Sequence, residues 1–259
     1  MRHRSVPAVA PAVVLTLALA ACGPADGSSD HGTPDTGTPQ QQTLTVLAAA
    51  SLTEVFELIA DDFEADHPGV TVEQSFAASS TIVAQVNEGA PADVIALAGT
   101  VSLEPLAQEH RHGEVSELTT NSLQLAVPPD NPAGITGVQD LAEDGLRLVV
   151  CEEQVPCGAA TATLFQTLGI TPAVASQEHD VRAALTKVEL GEADVGVVYR
   201  TDVARSDRVL GVGIPDEVNV TTTYPVLAVS DSPLAGAFVD EALSERGQTH
   251  LADAGFVAP

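Results

Sequence analysis

From residue 43 to the end of the chain, short apolar runs alternate with stretches of helical periodicity, and that alternation constrains the fold most tightly. The runs are LTVLAAA (44–50), VTVEQSF (70–76), DVIALA (93–98), SLQLAVP (122–128), LRLVV (146–150), DVGVVY (194–199) and TTYPVLAV (222–229). Helical patterning fills 52–66, 80–88, 102–109, 138–143, 158–168, 181–190 and 233–254, the last with a break. Strands separated by helices imply βαβ units, hence a largely parallel sheet with helices on both faces. The 44% apolar content is mostly Ala, Val and Leu, with 3% aromatic residues and no Trp, which suits helices packed on sheets. Nucleic-acid binding is excluded, since it draws on basic patches and stacking aromatics.

The first residues read differently. Arg2 and Arg4 precede an apolar stretch that ends in Leu19-Ala20-Ala21-Cys22, a secretory signal over 1–21, too short for a comfortable membrane span. A cysteine directly after small residues resembles the processing site of bacterial lipoproteins, so Cys22 is the expected acylated residue. Residues 22–42, rich in Gly, Pro, Ser, Thr and Asp, are expected to tether the folded part to the outer face of a cell membrane. The chain carries a formal charge of −26; without residues 1–21, 8 basic residues face 36 acidic ones, a net of −28. Such a surface repels nucleic acid and anionic lipid and keeps the protein soluble. Cys151 and Cys157 form an isolated even pair in a secreted chain, so a disulfide closing a small loop is expected. A metal reading is poor there, with no His or further Cys at ligand spacing, and His110-Arg111-His112 reads as a solvated turn.

Several helix starts are legible. Ser51-Leu52-Thr53-Glu54 fits a capping box; Ser79-Ser80-Thr81 opens a helix closed by Gly89; Pro156 suits a first turn; Asp180 is a natural N-cap for a helix closed by Gly191. Ligands of open α/β sheets bind beyond the carboxyl ends of the strands, where free N–H groups and helix dipoles favour an anion. None of these four mouths carries a Lys or Arg of its own, Arg182 lying one residue inside its helix. An anion there is held by hydroxyls and backbone N–H groups. Five to seven such contacts at roughly 1.5–3 kcal/mol each give on the order of 10 kcal/mol, a sub-micromolar affinity. The surface carboxylates are screened beyond about 8–10 Å.

AAASL (48–52), FAASST (76–81), GAPADV (89–94), VPCG (155–158), DVRAAL (180–185) and GVVY (196–199) occur in that order, and together they resemble the molybdate-binding protein (ModA) family of bacterial ABC importers. The resemblance covers 43–259. It implies an α/β, two-lobed periplasmic-binding-protein fold of type II, each lobe a mixed, mostly parallel sheet flanked by helices. Lobe 1 is expected over 43–121 and 223–259, lobe 2 over 122–222. The resemblance further implies a tetrahedral oxyanion, molybdate or tungstate, in the cleft between them. The implied contacts are Ser51 and Ser79 (hydroxyl and N–H), Cys157 and Val181 (backbone N–H) and the Tyr199 phenol. VPCG departs from the family's VPAG at Cys157. No side chain is expected to coordinate metal directly, and there is no cofactor beyond the ligand. Implied partners are the permease and ATPase subunits of an importer; the chain itself is expected to be a monomer. Two other functions compete: capture of another tetrahedral oxyanion such as sulfate, and a serine hydrolase lipoprotein. The hydrolase lacks a G-x-S-x-G elbow and a histidine placed as base.

Overall fold

In the computed structural model, which describes residues 41–259, strand β1 (Gln42–Ala49) lies between β2 (Val70–Ala77) and β3 (Val94–Ala96), parallel to both. The signal sequence, Cys22 and nearly all of the tether fall outside the described residues. The strand starts at Gln42, so the tether ends at least one residue earlier than its composition suggests. Helix α1 (Thr53–Asp66) connects β1 to β2, and α2 (Ser79–Asn87) connects β2 to β3.

The same connectivity recurs later in the chain. Strand β5 (Leu148–Cys151) lies between β6 (Val174–Glu178) and β7 (Val195–Tyr199), parallel to both, with α3 (Pro156–Leu168) and α4 (Val181–Glu189) as the crossovers. Two antiparallel strands join the units. β4 (Ser116–Val127) pairs with β9 (Thr221–Ala228) from Ser116 to Ser122, then with β7 from Leu123 to Ala126. β9 in turn pairs with β3, and β8 (Leu210–Val212) adds to the far end of β4. The resulting order is β2-β1-β3-β9-β4-β7-β5-β6.

The apolar side chains collect on either side of that junction. Leu44, Val46, Phe56, Ile59 and Phe63 pack with Phe238 and Leu251 of the C-terminal helices α6 (Pro233–Leu243) and α7 (Glu245–Asp253). On the opposite face of the same strands, Ile82 and Val83 meet Ile95, Leu97 and Leu227. A separate core gathers Leu125, Leu148, Leu164, Leu185, Val195 and Val197. Two clusters on one side of the junction and one on the other, joined by two strand crossings, make a two-lobed α/β protein.

Some expected elements differ. The helix expected over 102–109 is two short 3₁₀ turns, Thr100–Leu103 and Gln108–His110, because Pro105 lacks an N–H and disfavours helix before it. The segment at 138–143 is likewise a 3₁₀ turn, Val138–Ala142. Strand β4 begins six residues before the apolar run at 122, since Ser116–Asn121 is polar yet threads the junction. β6, β8 and the short α5 (Arg200–Ala204) carry too little apolar periodicity to be read in sequence. Arg111 donates to the carbonyls of Leu103 and Leu106 and His112 faces Asp231, so this segment is a hydrogen-bonded loop.

Candidate functional site

Each βαβαβ unit delivers two helix mouths to the junction. In the first, β1 runs into a 3₁₀ turn (Ala50–Leu52) that carries Ser51, and a single residue, Ala78, separates β2 from α2, whose first residue is Ser79. In the second, β5 leads to α3, with Pro156 at its first and Cys157 at its second position, and β6 leads to α4, which opens with Val181. β7 then brings Tyr199 to its carboxyl end. Ser51, Ser79, Cys157, Val181 and Tyr199 all line one cavity of about 20 Å³, completed by Ala49, Ala50, Ala77, Ala78, Ala98, Val155, Pro156 and Asp180. A single ordered water needs roughly 10–15 Å³. The space therefore suits one small ion and excludes a sugar or peptide.

The hydroxyls are buried, with 2% of Ser51, 1% of Ser79 and 1% of Tyr199 exposed. The Ser79 Oγ accepts the Ala98 N–H at 2.8 Å, which leaves its hydrogen free to point elsewhere. The Ser51 Oγ lies 2.8 Å from the Tyr224 hydroxyl, which itself sits 3.5 Å from the Asn121 Nδ2 donor. Either hydroxyl can donate in the Ser51–Tyr224 bond; with Tyr224 as donor the serine hydrogen is free for a ligand. The Tyr199 hydroxyl has no hydrogen-bond partner of good geometry, although Thr222 and Tyr224 lie near enough to pull its pKa down against the effect of burial. Burial drives its pKa upward, so it is a neutral donor at any physiological pH.

The expected capping box at Ser51 is not formed. Helix α1 begins at Thr53 with no side-chain cap, Thr53 Oγ1 bonds the Ala50 carbonyl, and Ser51 is spent on Tyr224. The 3₁₀ turn takes the place of the cap and aims Ser51 at the cavity. The other helix readings hold: Asp180 accepts the Ala183 N–H at 2.8 Å, and Gly89 and Gly191 follow their helices at φ +89° and +70°. Being at the first or second helical position, the N–H groups of Ser79, Cys157 and Val181 precede any intrahelical acceptor. Asp180 is the one carboxylate in the lining, and it is engaged by Ala183 and by His179 at 3.2 Å. Neither Lys nor Arg is among the lining residues.

Two supports escaped sequence reading. Asp202, fully buried, accepts the Tyr199 N–H at 3.0 Å and Arg205 Nη2 at 2.8 Å; burial raises its carboxyl to about 6, while Arg205 opposes the rise. Tyr224 carries the hydrogen bond to Ser51 from β9, and its only sequence signal is that the chain has two tyrosines. The cysteine sulfurs lie at bonding distance, 2.05 Å, with Cα atoms 5.7 Å apart. Gly158 fits the same turn, because a Cβ there would come within 1.8 Å of the Glu152 carbonyl oxygen.

Residues 44–257 match the model of the bacterial extracellular solute-binding protein family. The molybdate-binding protein ModA of Mycobacterium tuberculosis H37Rv is 34% identical over 251 residues, 95% of either chain. Among solved structures, the periplasmic molybdate-binding protein of Azotobacter vinelandii superposes with a TM-score of 0.71 at 21% identity, covering 83% of this chain and 99% of that one. The sulfate-binding protein SubI of M. tuberculosis superposes with a TM-score of 0.73 at 19% identity over 83% and 86%. At such identities the structural matches speak for the fold alone. Fold and family together define an extracellular solute-binding protein, a transport component and not an enzyme. Within that class the chain belongs to the ModA family.

Proposed function

We propose that this protein captures molybdate, and also tungstate, in the cavity between its lobes and delivers it to an ABC importer. The observation that carries this reading is the convergence of Ser51, Ser79, Cys157, Val181 and Tyr199 on one small cavity with no Lys or Arg in its lining. Two serine hydroxyls, one unpartnered phenol and the N–H groups of helix first turns offer donors from several directions, as a tetrahedral dianion requires. The positive ends of α2, α3 and α4 add about 0.3–1 kcal/mol each. A protonated anion such as hydrogen phosphate would need an acceptor, and the Asp180 carboxylate is already engaged. Sulfate, being smaller, would leave the fixed donors overextended. The name of the mycobacterial relative favours the same ligand.

In this reading lobe 1 comprises 43–121 and 223–259 and lobe 2 comprises 122–222, with hinges where β4 and β9 cross near Asn121–Ser122 and Thr223–Tyr224. Closure around the anion forms the surface that a permease and its ATPase read. Cys22 is acylated and anchors the monomer outside the membrane, and the Cys151–Cys157 bridge stiffens the turn that presents the Cys157 N–H. Thermal melting with molybdate, tungstate, sulfate and phosphate tests the ligand: the first two are expected to raise the midpoint strongly. Stabilisation by sulfate without molybdate overturns the assignment.

A further inference from the structure

Outside the cavity lining, charged side chains meet across the junction. Glu54, in the first turn of α1, belongs to the unit built on β1; Arg182 on α4 and Arg205 after α5 belong to the unit built on β5. Arg182 Nη2 reaches Glu54 Oε1 at 2.9 Å, and Arg205 Nη1 pairs with Glu54 Oε2. Arg205 also reaches the Ser51 carbonyl at 3.4 Å and, through Nη2, the buried Asp202 that fixes the Tyr199 N–H. A single carboxylate on one side therefore takes two guanidiniums from the other, within bonding reach of two residues that line the cavity.

We propose that Glu54 is a closure latch: its pairing with Arg182 and Arg205 forms only when the lobes shut and slows release of the bound oxyanion. The inference rests on the two-lobed binding reading above. Arg205 is preorganised, since Asp202 holds its guanidinium in either state of the cleft, both residues lying on the same lobe. Glu54 has 41% of its side chain exposed and Arg205 19%, so a neutral, isosteric glutamine is tolerated by the fold while the charge pairing is lost. Arg205, with 19% of its side chain exposed, is only partly buried, so the pair is stronger than a fully exposed one yet stays sensitive to salt. The latch lies outside the cavity lining, so it acts on the lifetime of the closed state and not on recognition of the anion.

The test compares the full-length protein with Glu54→Gln, Arg182→Gln and the double variant. As the chain has no Trp, release is followed with radioactive molybdate chased by unlabelled anion. Glu54→Gln is expected to release molybdate about tenfold faster with little change in association, as lost closed-state contacts act on dissociation. The double variant is expected to match Glu54→Gln, since both changes break one shared contact. Raising salt is expected to speed release from the unaltered protein and not from Glu54→Gln. Equal release rates, or additive effects in the double variant, overturn the latch. If the unaltered protein retains no molybdate, the binding reading fails on its own, and small-angle scattering of the ligand-free proteins decides the latch. A larger radius of gyration for Glu54→Gln then supports it, and identical radii refute it.

Discussion

The two βαβαβ units share one strand order, β2-β1-β3 against β6-β5-β7, yet they present different chemistry at corresponding helix mouths. The first places serines, Ser51 and Ser79, at the ends of its first two strands; the second places Cys157 and Val181 there, residues whose contribution is a main-chain N–H. The fold supplies four convergent helix mouths by topology alone. Only half of them commit a side chain. A pocket built this way gains anion affinity without importing a cation, and its two halves should respond to substitution in opposite ways.

The sharpest break between the halves is expected from Ser51→Ala with Ser79→Ala. Losing two hydrogen bonds to a charged ligand, at roughly 1.5–3 kcal/mol apiece, lowers molybdate affinity about 10²–10⁴-fold in calorimetric titration. A loss under tenfold would show that the hydroxyl half does not grip the anion. Tyr199→Phe comes next, with a loss on the order of tenfold or more, while the melting midpoint of the ligand-free protein holds or rises because an unpaired buried hydroxyl is gone.

The main-chain half calls for a different tool. Val181 is the first residue of α4, and Asp180 before it is extended at φ −155° and ψ 170°, a conformation compatible with a following proline. Val181→Pro therefore deletes one N–H with the helix intact, and is expected to cost about tenfold in affinity. Val181→Ala keeps the N–H and is expected to change affinity less than about twofold. If alanine hurts as much as proline, the side chain is the contact and the contrast between the units collapses. The smallest effect on binding is expected from Cys151→Ser with Cys157→Ser. Opening so short a loop costs about 2 kcal/mol of stability, read by denaturant titration, and shifts affinity no more than a few-fold.

This contrast also governs what could be read in advance. The βαβ alternation was plain in runs such as Leu44–Ala50 and Asp194–Tyr199, because buried parallel strands concentrate apolar residues. Asp180, Pro156, Gly89 and Gly191 announced helix ends through side-chain and backbone chemistry that operates locally. Ser51 misled: its spacing to Glu54 satisfies a capping box, but the hydroxyl is taken by Tyr224, 173 residues away, and the carboxylate by two arginines. Cys157 and Val181 leave no trace in a side-chain pattern, since any residue but proline offers an N–H, and only the ordered motifs of the family point to them. Tyr224 acts through a tertiary contact that no local spacing encodes, whereas Asp202 lies three residues from both Tyr199 and Arg205, a local spacing that by itself says nothing of its burial beside the cavity.

The most direct test is a crystal of the protein grown with molybdate and measured at the molybdenum absorption edge. The account predicts one anomalous peak inside the cavity, with its oxygens within hydrogen-bonding distance of the Ser51, Ser79 and Tyr199 hydroxyls and of the Cys157 and Val181 N–H groups. A peak elsewhere on the molecule, or one coordinated by Lys or Arg side chains, would contradict it.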